Sequence, residues 1–338
     1  MRVTLDAETG DIQSLWDKIQ QREILAGNGN QLQFFSDQGQ YWDAWNIDPN
    51  YAEHSLSPAI LESIKILEIG PIRWRIRVIK QFQSSQFCQD YLLEIHSPIL
   101  KIQTQVTWLE SQVLVKAAFP LNLTSETITY EVPCAVIERP TCPQTAAEKA
   151  KWEVSALHWA DLSDRHQNYG VSLLNDCKYG YDGQPSQLRL TLLRSPNWPD
   201  PNCDRGEHHF TYALYPHLGD WKTAQTVRQG YQLNRPLRVY FPTVIKKISK
   251  GNLSSRQSLL TLAADNLCLM AFKRQENDPQ AWILRLYEYQ GQSATFSLQS
   301  PFPLAITTAV NLLEEETDLT LSISSWKIAS FSLKYQND

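Results

Sequence analysis

Three patterns in the 338-residue sequence predict an all-β protein, a large antiparallel β-sandwich followed by a small C-terminal one. Apolar and polar residues alternate over successive short runs, turn residues separate those runs, and helical windows are scarce.

The first hairpin is read from RVTLDAETGDIQSLWD, where Val3 and Leu5 precede a turn containing Gly10, and Ile12 and Leu15 follow it. Between Ile64 and Phe119 the period of two is clearest: Ile72, Trp74, Ile76 and Val78 alternate with Arg73, Arg75 and Arg77. Such a strand has one buried and one wet face. The same alternation puts Ile102, Val106 and Trp108 on one face of a strand, and Val113, Val115 and Ala117 on one face of another. Closely spaced strands of this kind pack as antiparallel sheets face to face. Only TAAEKAKWEV reads as a helical turn, and Pro143 limits its start.

Lysines, Gly251 and serines gather in VIKKISKGNLSSRQS, Val244 to Ser258, between two apolar regions. That shift sets the expected boundaries: a large sandwich over 1–245, a crossover over 246–258 and a small β domain over 259–338. In the last part, two strands are expected about the turn at Asn277 to Pro279, and two more in LTLSISSWKIASFSLKY. No heptad, low-complexity tract or fixed-period repeat is present.

Composition excludes several functional classes. With 42% hydrophobic and 20% charged residues the chain is expected to fold, and a formal charge of −5 disfavours nucleic acid and anionic membranes as partners. There is no apolar run long enough to span a bilayer, and MRVTLDAETGDIQ lacks the features of a secretory signal, so a cytoplasmic location is expected. The six cysteines are expected to be free thiols, and neither a C-x-x-C pair nor a histidine motif for a metal occurs. Without an export signal the sequons at Asn122 and Asn252 carry little meaning.

Residues Tyr169 to His217 are dense in polar groups between runs that read as buried strands. His208 and His209 are neighbours on an expected strand and therefore point to opposite faces, so they do not share a metal. Asp176, Asp200, Asp204 and Glu207 have the residue type for glycoside hydrolysis, but their Gly and Pro neighbours read as turns. Neither G-x-S-x-G nor G-x-G-x-x-G occurs. What remains is a surface rich in Trp, Tyr, Asp, Asn and Arg, the set that stacks on and hydrogen-bonds sugars. QYWDAWNIDPNY has the same composition, and two readings stand for it: a sugar contact, or Trp42 and Trp45 filling the core while Asp43 and Asp48 end strands.

Read as a whole, YGVSLLNDCKYGYDG followed by LRLTLLRSPNWPDPNCDRGEHHFTYALYPHLGDW resembles the C-terminal β-region of family 38 glycoside hydrolases, the retaining α-mannosidases, above all their cytosolic-type and bacterial branch. NQLQFFSDQGQYWDAWNID, YEVPCAVIERPT, WEVSALHWADLSD and NLCLMAFKRQENDPQAWILRLYEYQG resemble the flanking and terminal parts of that region. The resemblance implies a galactose-mutarotase-like supersandwich. It also implies that zinc and the aspartate nucleophile belong to an N-terminal catalytic domain, whose motifs are missing here; no catalytic residue, metal ligand or cofactor is expected in this chain. Met1 directly precedes an expected first strand, as in a separately encoded half.

The implied partners are that catalytic domain and a mannose-containing oligosaccharide, with hydrolysis of terminal α-D-mannose as the activity of the whole. By motif position the resemblance places Arg194 at the rim of the substrate pocket, then the block from Asp43 to Trp45, then Asn175, Asp176 and Lys178. An interdomain salt bridge is the competing reading of Arg194, and a loop turning at Gly180 and Gly183 that of Asp176 and Lys178. Glu207 and His208 read as structural. Two other functions stand beside this one: a free-standing carbohydrate-binding module, and an aldose-epimerase-like enzyme needing a histidine and a glutamate in one concave sheet.

Overall fold

The computed structural model describes residues 1–39, 42–241, 254 and 256–336. Two compact units result, one of Met1–Val132 with Ile137–Pro236 and one of Pro133–Val136 with Leu237–Asp338. The crossover expected over 246–258 lies mostly outside the described residues.

The first unit begins with a small sheet of Arg2–Leu5, Ile12–Asp17 and Arg22–Glu23. The expected hairpin is present, with Val3 opposite Leu15. Its turn needs glycine twice over: Gly10 has φ +72, and a Cβ there would lie 2.6 Å from Val78 Cγ1. The buried Lys80–Asp11 ion pair ties this turn to the neighbouring strand.

A nine-stranded sheet runs in the order Ala135–Pro140, Thr127–Val132, Trp159–Asp164, Tyr169–Asn175, Gly206–Leu218, Leu100–Trp108, Ser85–Glu94, Arg73–Phe82 and Ile60–Ile69. Neighbours from Thr127–Val132 onward pair antiparallel. A five-stranded antiparallel sheet faces it, ordered Val154–Ser155, Gly180–Gln184, Gln187–Leu193, Val113–Pro120 and Gln31–Ser36. Ile102, Val106, Trp108, Val113, Val115 and Ala117 are buried as the alternation predicts, but of Ile72, Trp74, Ile76 and Val78 only Val78 is, since Ile72 just ahead of their strand and Trp74 at its start are 72% and 40% exposed. Phe34 of the smaller sheet stacks on Phe82 of the larger at 3.8 Å, and Phe119 meets Tyr212 edge-on at 6.3 Å. Asn30 donates to Gln89 and Tyr91 while Tyr212 donates to Asn30, so polar groups inside the sandwich satisfy one another.

Three local expectations need correction. Arg73, Arg75 and Arg77 lie on a face that is salt-bridged to Glu68 and Asp90 rather than simply wet. Val113–Pro120 is buried on both faces, because Leu114, Lys116 and Ala118 lie beneath a covering segment. Gly180 and Gly183 sit in a strand, not a turn, and a Cβ on Gly183 would lie 2.1 Å from Ile128 Cδ1. The expected helical turn is Ala146–Lys149, started by a capping box of Thr145 and Glu148. A second helix, Thr226–Asn234, was not read from the sequence; it packs on Tyr169–Asn175, and Asn234 donates to Asn175 O.

The covering segment, described at 37–39 and 42–56, meets the outer face of the five-stranded sheet through Tyr51, which contacts Leu114 and Lys116. Tyr51 packs with Phe35 and Leu114, joined by Ile47 and Trp152. Beside them Lys116, 0% exposed, holds Asp182 Oδ2 at 2.7 Å and also bonds Glu153. Arg189 holds Asp182 Oδ1 at 2.7 Å and donates to Tyr51 OH at 2.8 Å. Each charge is compensated, which burial demands.

In the second unit, Leu267–Arg274, Ala281–Glu288, Ile328–Tyr335, Leu304–Val310 and Glu316–Thr317 form a five-stranded antiparallel sheet in that order. Leu284, Leu286, Phe296, Phe331 and Leu333 form its core. The strands expected about Asn277–Pro279 are its first two.

Replacing Lys116 by Ala strands Glu153 as a buried anion and leaves Asp182 with Arg189 alone, an expected loss of roughly 3–5 kcal/mol measurable by urea denaturation. Burial pushes the Tyr51 hydroxyl up to about 12, and burial likewise raises Tyr130, Tyr169, Tyr181 and Tyr212. Because these folded values exceed the unfolded one, the stabilisation is complete below about pH 10 and disappears as pH rises through them. Absorbance at alkaline pH is therefore expected to show a late group of tyrosines that ionises together with unfolding.

Candidate functional site

Arg194 follows directly on the strand Gln187–Leu193, at the end of the five-stranded sheet. From there its guanidinium reaches into the covering segment. Nε bonds the Asp37 carboxylate, and the two terminal nitrogens bond the carbonyls of Asp43 and Asn46. Asp43 Oδ1 lies 3.6 Å from Arg194 Nη2. A planar fork suits this task, since three acceptors at fixed angles are held by one rigid group.

The second loop of the site, after Arg194, is tied to the same segment. Asn197 N donates to Asp43 Oδ2 at 2.7 Å, and Ala44 N donates to Trp198 O at 3.1 Å. Asp204 Oδ2 accepts from the backbone nitrogens of Arg194 and Ser195 at 3.2 and 3.1 Å. Asp48 N donates to Asp37 Oδ1 at 2.9 Å, so Asp37 holds both the arginine and the segment's return.

These ties support a cluster of three indoles. Trp42, Trp45 and Trp198 are 68%, 67% and 49% exposed. Their ring centroids lie 5.4 Å apart for Trp42 with Trp198, 5.4 Å for Trp45 with Trp198 and 6.4 Å for Trp42 with Trp45. Of the two readings of this block, core filling is overturned: the segment leaves the sheet at Ser36, and its indoles face outward. Water contact on large apolar rings is unfavourable, and a fixed exposed cluster marks a surface for a ligand or partner. Trp198 was missed in the sequence reading. Its setting in SPNWPDPN, where no strand period runs, was the available signal.

The six residues named from the sequence therefore separate into two groups. Arg194, Asp43 and Trp45 come together. Asn175, Asp176 and Lys178 come at the end of the strand Tyr169–Asn175, where Lys178 feels the charge of Asp204, the carboxylate that holds the Arg194 and Ser195 backbone. Asn175 is buried and donates to Leu157 O at 2.7 Å and Tyr181 OH at 2.6 Å, while its Oδ1 accepts from Lys178 N at 2.8 Å. Asp176 Oδ2 accepts from Thr211 N at 2.9 Å. Lys178 Nζ lies 4.5 Å from the Phe210 ring centroid, and burial lowers its pKa. The salt bridge of Arg194 is formed within the first unit, with Asp37, rather than between domains. Glu207 accepts from Thr107 directly across the sheet at 2.6 Å, and His208 Nε2 lies 2.6 Å from Asp204 O, both structural contacts.

Among the described residues, no three His, Cys, Asp or Glu side chains converge as metal ligands. No described helix is long and apolar enough to cross a membrane.

Substituting Arg194 by Ala leaves Asp37 buried without its counter-ion and frees both carbonyls, with an expected loss of roughly 3–5 kcal/mol in denaturation. Arg194→Lys cannot reproduce the three-way fork, and is expected to lower the melting temperature and alter acrylamide quenching of the exposed indoles.

Two family descriptions match the chain: Glycosyl hydrolases family 38 C-terminal domain over residues 1–202, and Glycosyl hydrolases family 38 C-terminal beta sandwich domain over 266–331. Alpha-mannosidase G of Dictyostelium discoideum is 33% identical over 96% of this chain and 30% of its own length. Human alpha-mannosidase 2C1 is 31% identical over 99% of this chain and 33% of its own length. The chain thus spans about a third of these relatives. In fold it is similar to a crystal structure of an alpha-mannosidase from Enterococcus faecalis V583, with a TM-score of 0.78 at 17% identity, covering 99% of this chain and 41% of that one. The chain belongs to glycosyl hydrolase family 38, and corresponds to the C-terminal region of its α-mannosidases.

Proposed function

We propose that this chain serves as the β-sandwich portion of a retaining, zinc-dependent α-mannosidase that hydrolyses terminal α-D-mannose from oligosaccharides. In this reading it packs on the catalytic domain, where zinc and the nucleophile reside, and is inactive alone. Its own contribution is the rim of the pocket: the Trp42, Trp45 and Trp198 rings, held from beneath by Arg194. The observation that carries the reading is that cluster, since three indoles left 49% to 68% exposed keep much of their apolar surface available to a ligand. Indole faces complement the C–H faces of a pyranose, and a rim built on them would orient substrate while the chemistry proceeds on the other domain. Arg194 acts here as a positioning residue, because its fork is occupied by Asp37, Asp43 and Asn46. Asn175 and Asp176 are engaged by Leu157, Tyr181 and Thr211, while Lys178 adjoins the rim loop through the charge of Asp204. A reducing, cytoplasmic setting accords with six free cysteines.

The test is an aryl α-mannoside assay with zinc present, on this chain, on the separately produced catalytic portion of the same enzyme, and on their mixture. Activity is expected only on mixing. In the mixture Trp198→Ala is expected to raise KM for an oligosaccharide more than for the aryl mannoside. Mannose release by the chain alone, or full activity of the catalytic portion without it, would sink the proposal.

A further inference from the structure

The core-facing side of the nine-stranded sheet runs on past the core. Strand register lays it out as two apolar rows. In the first, Leu100 lies opposite Leu93, Leu93 opposite Trp74 and Trp74 opposite Ile69. Exposure rises along it, from buried Leu100 through Trp74 at 40% to Ile69 at 77%. In the second, Ile102 lies opposite Tyr91, Tyr91 opposite Ile76 and Ile76 opposite Ile66, passing from buried Ile102 and Tyr91 to Ile66, 64% exposed. The alternation that makes these positions apolar writes an inward face, and such a face is stable under cover. Here the rows reach the last strand of the sheet, Ile60–Ile69, uncovered.

Two depressions, of about 560 and 400 Å³, open over these rows, and Met1, Lys18, Trp74 and Leu93 line both. Exposed Ile72 and Ile95, joined by a bond from Ile95 N to Ile72 O at 2.8 Å, extend the bare surface. With Ile66, Ile69 and Trp74 they leave an apolar patch on the order of 500 Å², the size that marks an interaction surface. It is distinct from the indole cluster. The rows lie at the Leu100 end of the strand Leu100–Trp108, whereas at the other end Trp108 Nε1 donates to Ser195 Oγ, next to Arg194.

Chain geometry selects the occupant. The relatives are about three times as long as the part they share with this chain, and both family descriptions name that part C-terminal. Polypeptide ahead of that part in a relative therefore enters at the position of Met1, within the two depressions, where covering the rows needs the shortest loop. Charge at the border adds a second constraint. Glu94 is held by Lys101 and Asp17 accepts from Tyr169, but Arg2 and Lys18 have no ion pair among the described residues, so the border favours an acidic neighbour. We infer that this bare end of the inward sheet face is a docking groove for the segment directly ahead of this region in the whole α-mannosidase, an apolar stretch with acidic flanks. The inference rests on the proposed packing against a catalytic portion, and not on the rim assigned to the tryptophans.

Analytical ultracentrifugation and hydrogen exchange test it, on this chain mixed with the separately produced catalytic portion of the same enzyme, made to include the residues directly ahead of this region. A complex is expected, with amide protection gained in Ile60–Ile69 and Arg73–Phe82. Ile66→Asp and Ile69→Asp replace exposed side chains, and each is expected to weaken the complex about tenfold while the melting temperature of the chain alone stays unchanged. Trp198→Ala is expected to leave assembly intact. Absence of association overturns the inference, and so does a complex that both aspartate substitutions together leave unaffected. A dimer of this chain alone that the same substitutions dissolve, with the mixed complex untouched, gives the groove to a second copy and overturns it as well. A complex that forms, is lost in these variants and releases no mannose sustains the inference while the mannosidase reading fails. Mannosidase activity that resists both substitutions has the opposite meaning.

Discussion

Lys116 is the constraint around which the first unit is arranged. It sits on a central strand of the five-stranded sheet, on the face turned away from the sandwich core, and that face is sealed from water. A buried ammonium is tolerated only with anions against it, and Glu153 and Asp182 supply them from two other parts of the chain. Asp182 in turn fixes Arg189, and Arg189 fixes Tyr51. A covering segment that would otherwise be a loose loop is thereby anchored at its far end.

The near end of that segment is held by the second fork, Arg194 on Asp37, Asp43 and Asn46. Among the described residues between the two anchors no strand is formed, and a bridge from Ser55 to Phe35 returns the chain to the sheet after Tyr51. Its side chains are therefore free to be placed for something other than sandwich packing. The outward indoles follow from this: stability is supplied by buried ion pairs, and the exposed aromatic surface is left over for recognition. That division of labour accords with a β-region that shapes a pocket completed by another part of an α-mannosidase.

The two sheets treat their outer faces differently. The smaller sheet hides its charges under the covering segment, whereas the larger one leaves Arg75, Arg77, Gln103, Gln105 and His209 in rows at the surface, ordered by strand register and by the Arg–Asp90 forks.

The sequence by itself determined the all-β class, the opening hairpin, the shared faces of Ile102, Val106 and Trp108, and the membership in family 38, because alternation has a period of two that no helix reproduces and the motif string is long and irregular. It also brought out Arg194, Asp43 and Trp45. Only the tertiary structure decided that these three meet, that Trp198 joins them, and that Asn175 is buried with its amide spent on Leu157 and Tyr181. Local pattern could not say that Lys116 is buried, since a lysine amid alternating apolar residues reads as an outward position. Its burial depends on a segment some sixty to eighty residues earlier folding back over the sheet, and on carboxylates contributed by later strands and loops. Long-range charge pairing of this kind leaves no periodic trace in the chain, which is why the site's anchors became visible only in three dimensions.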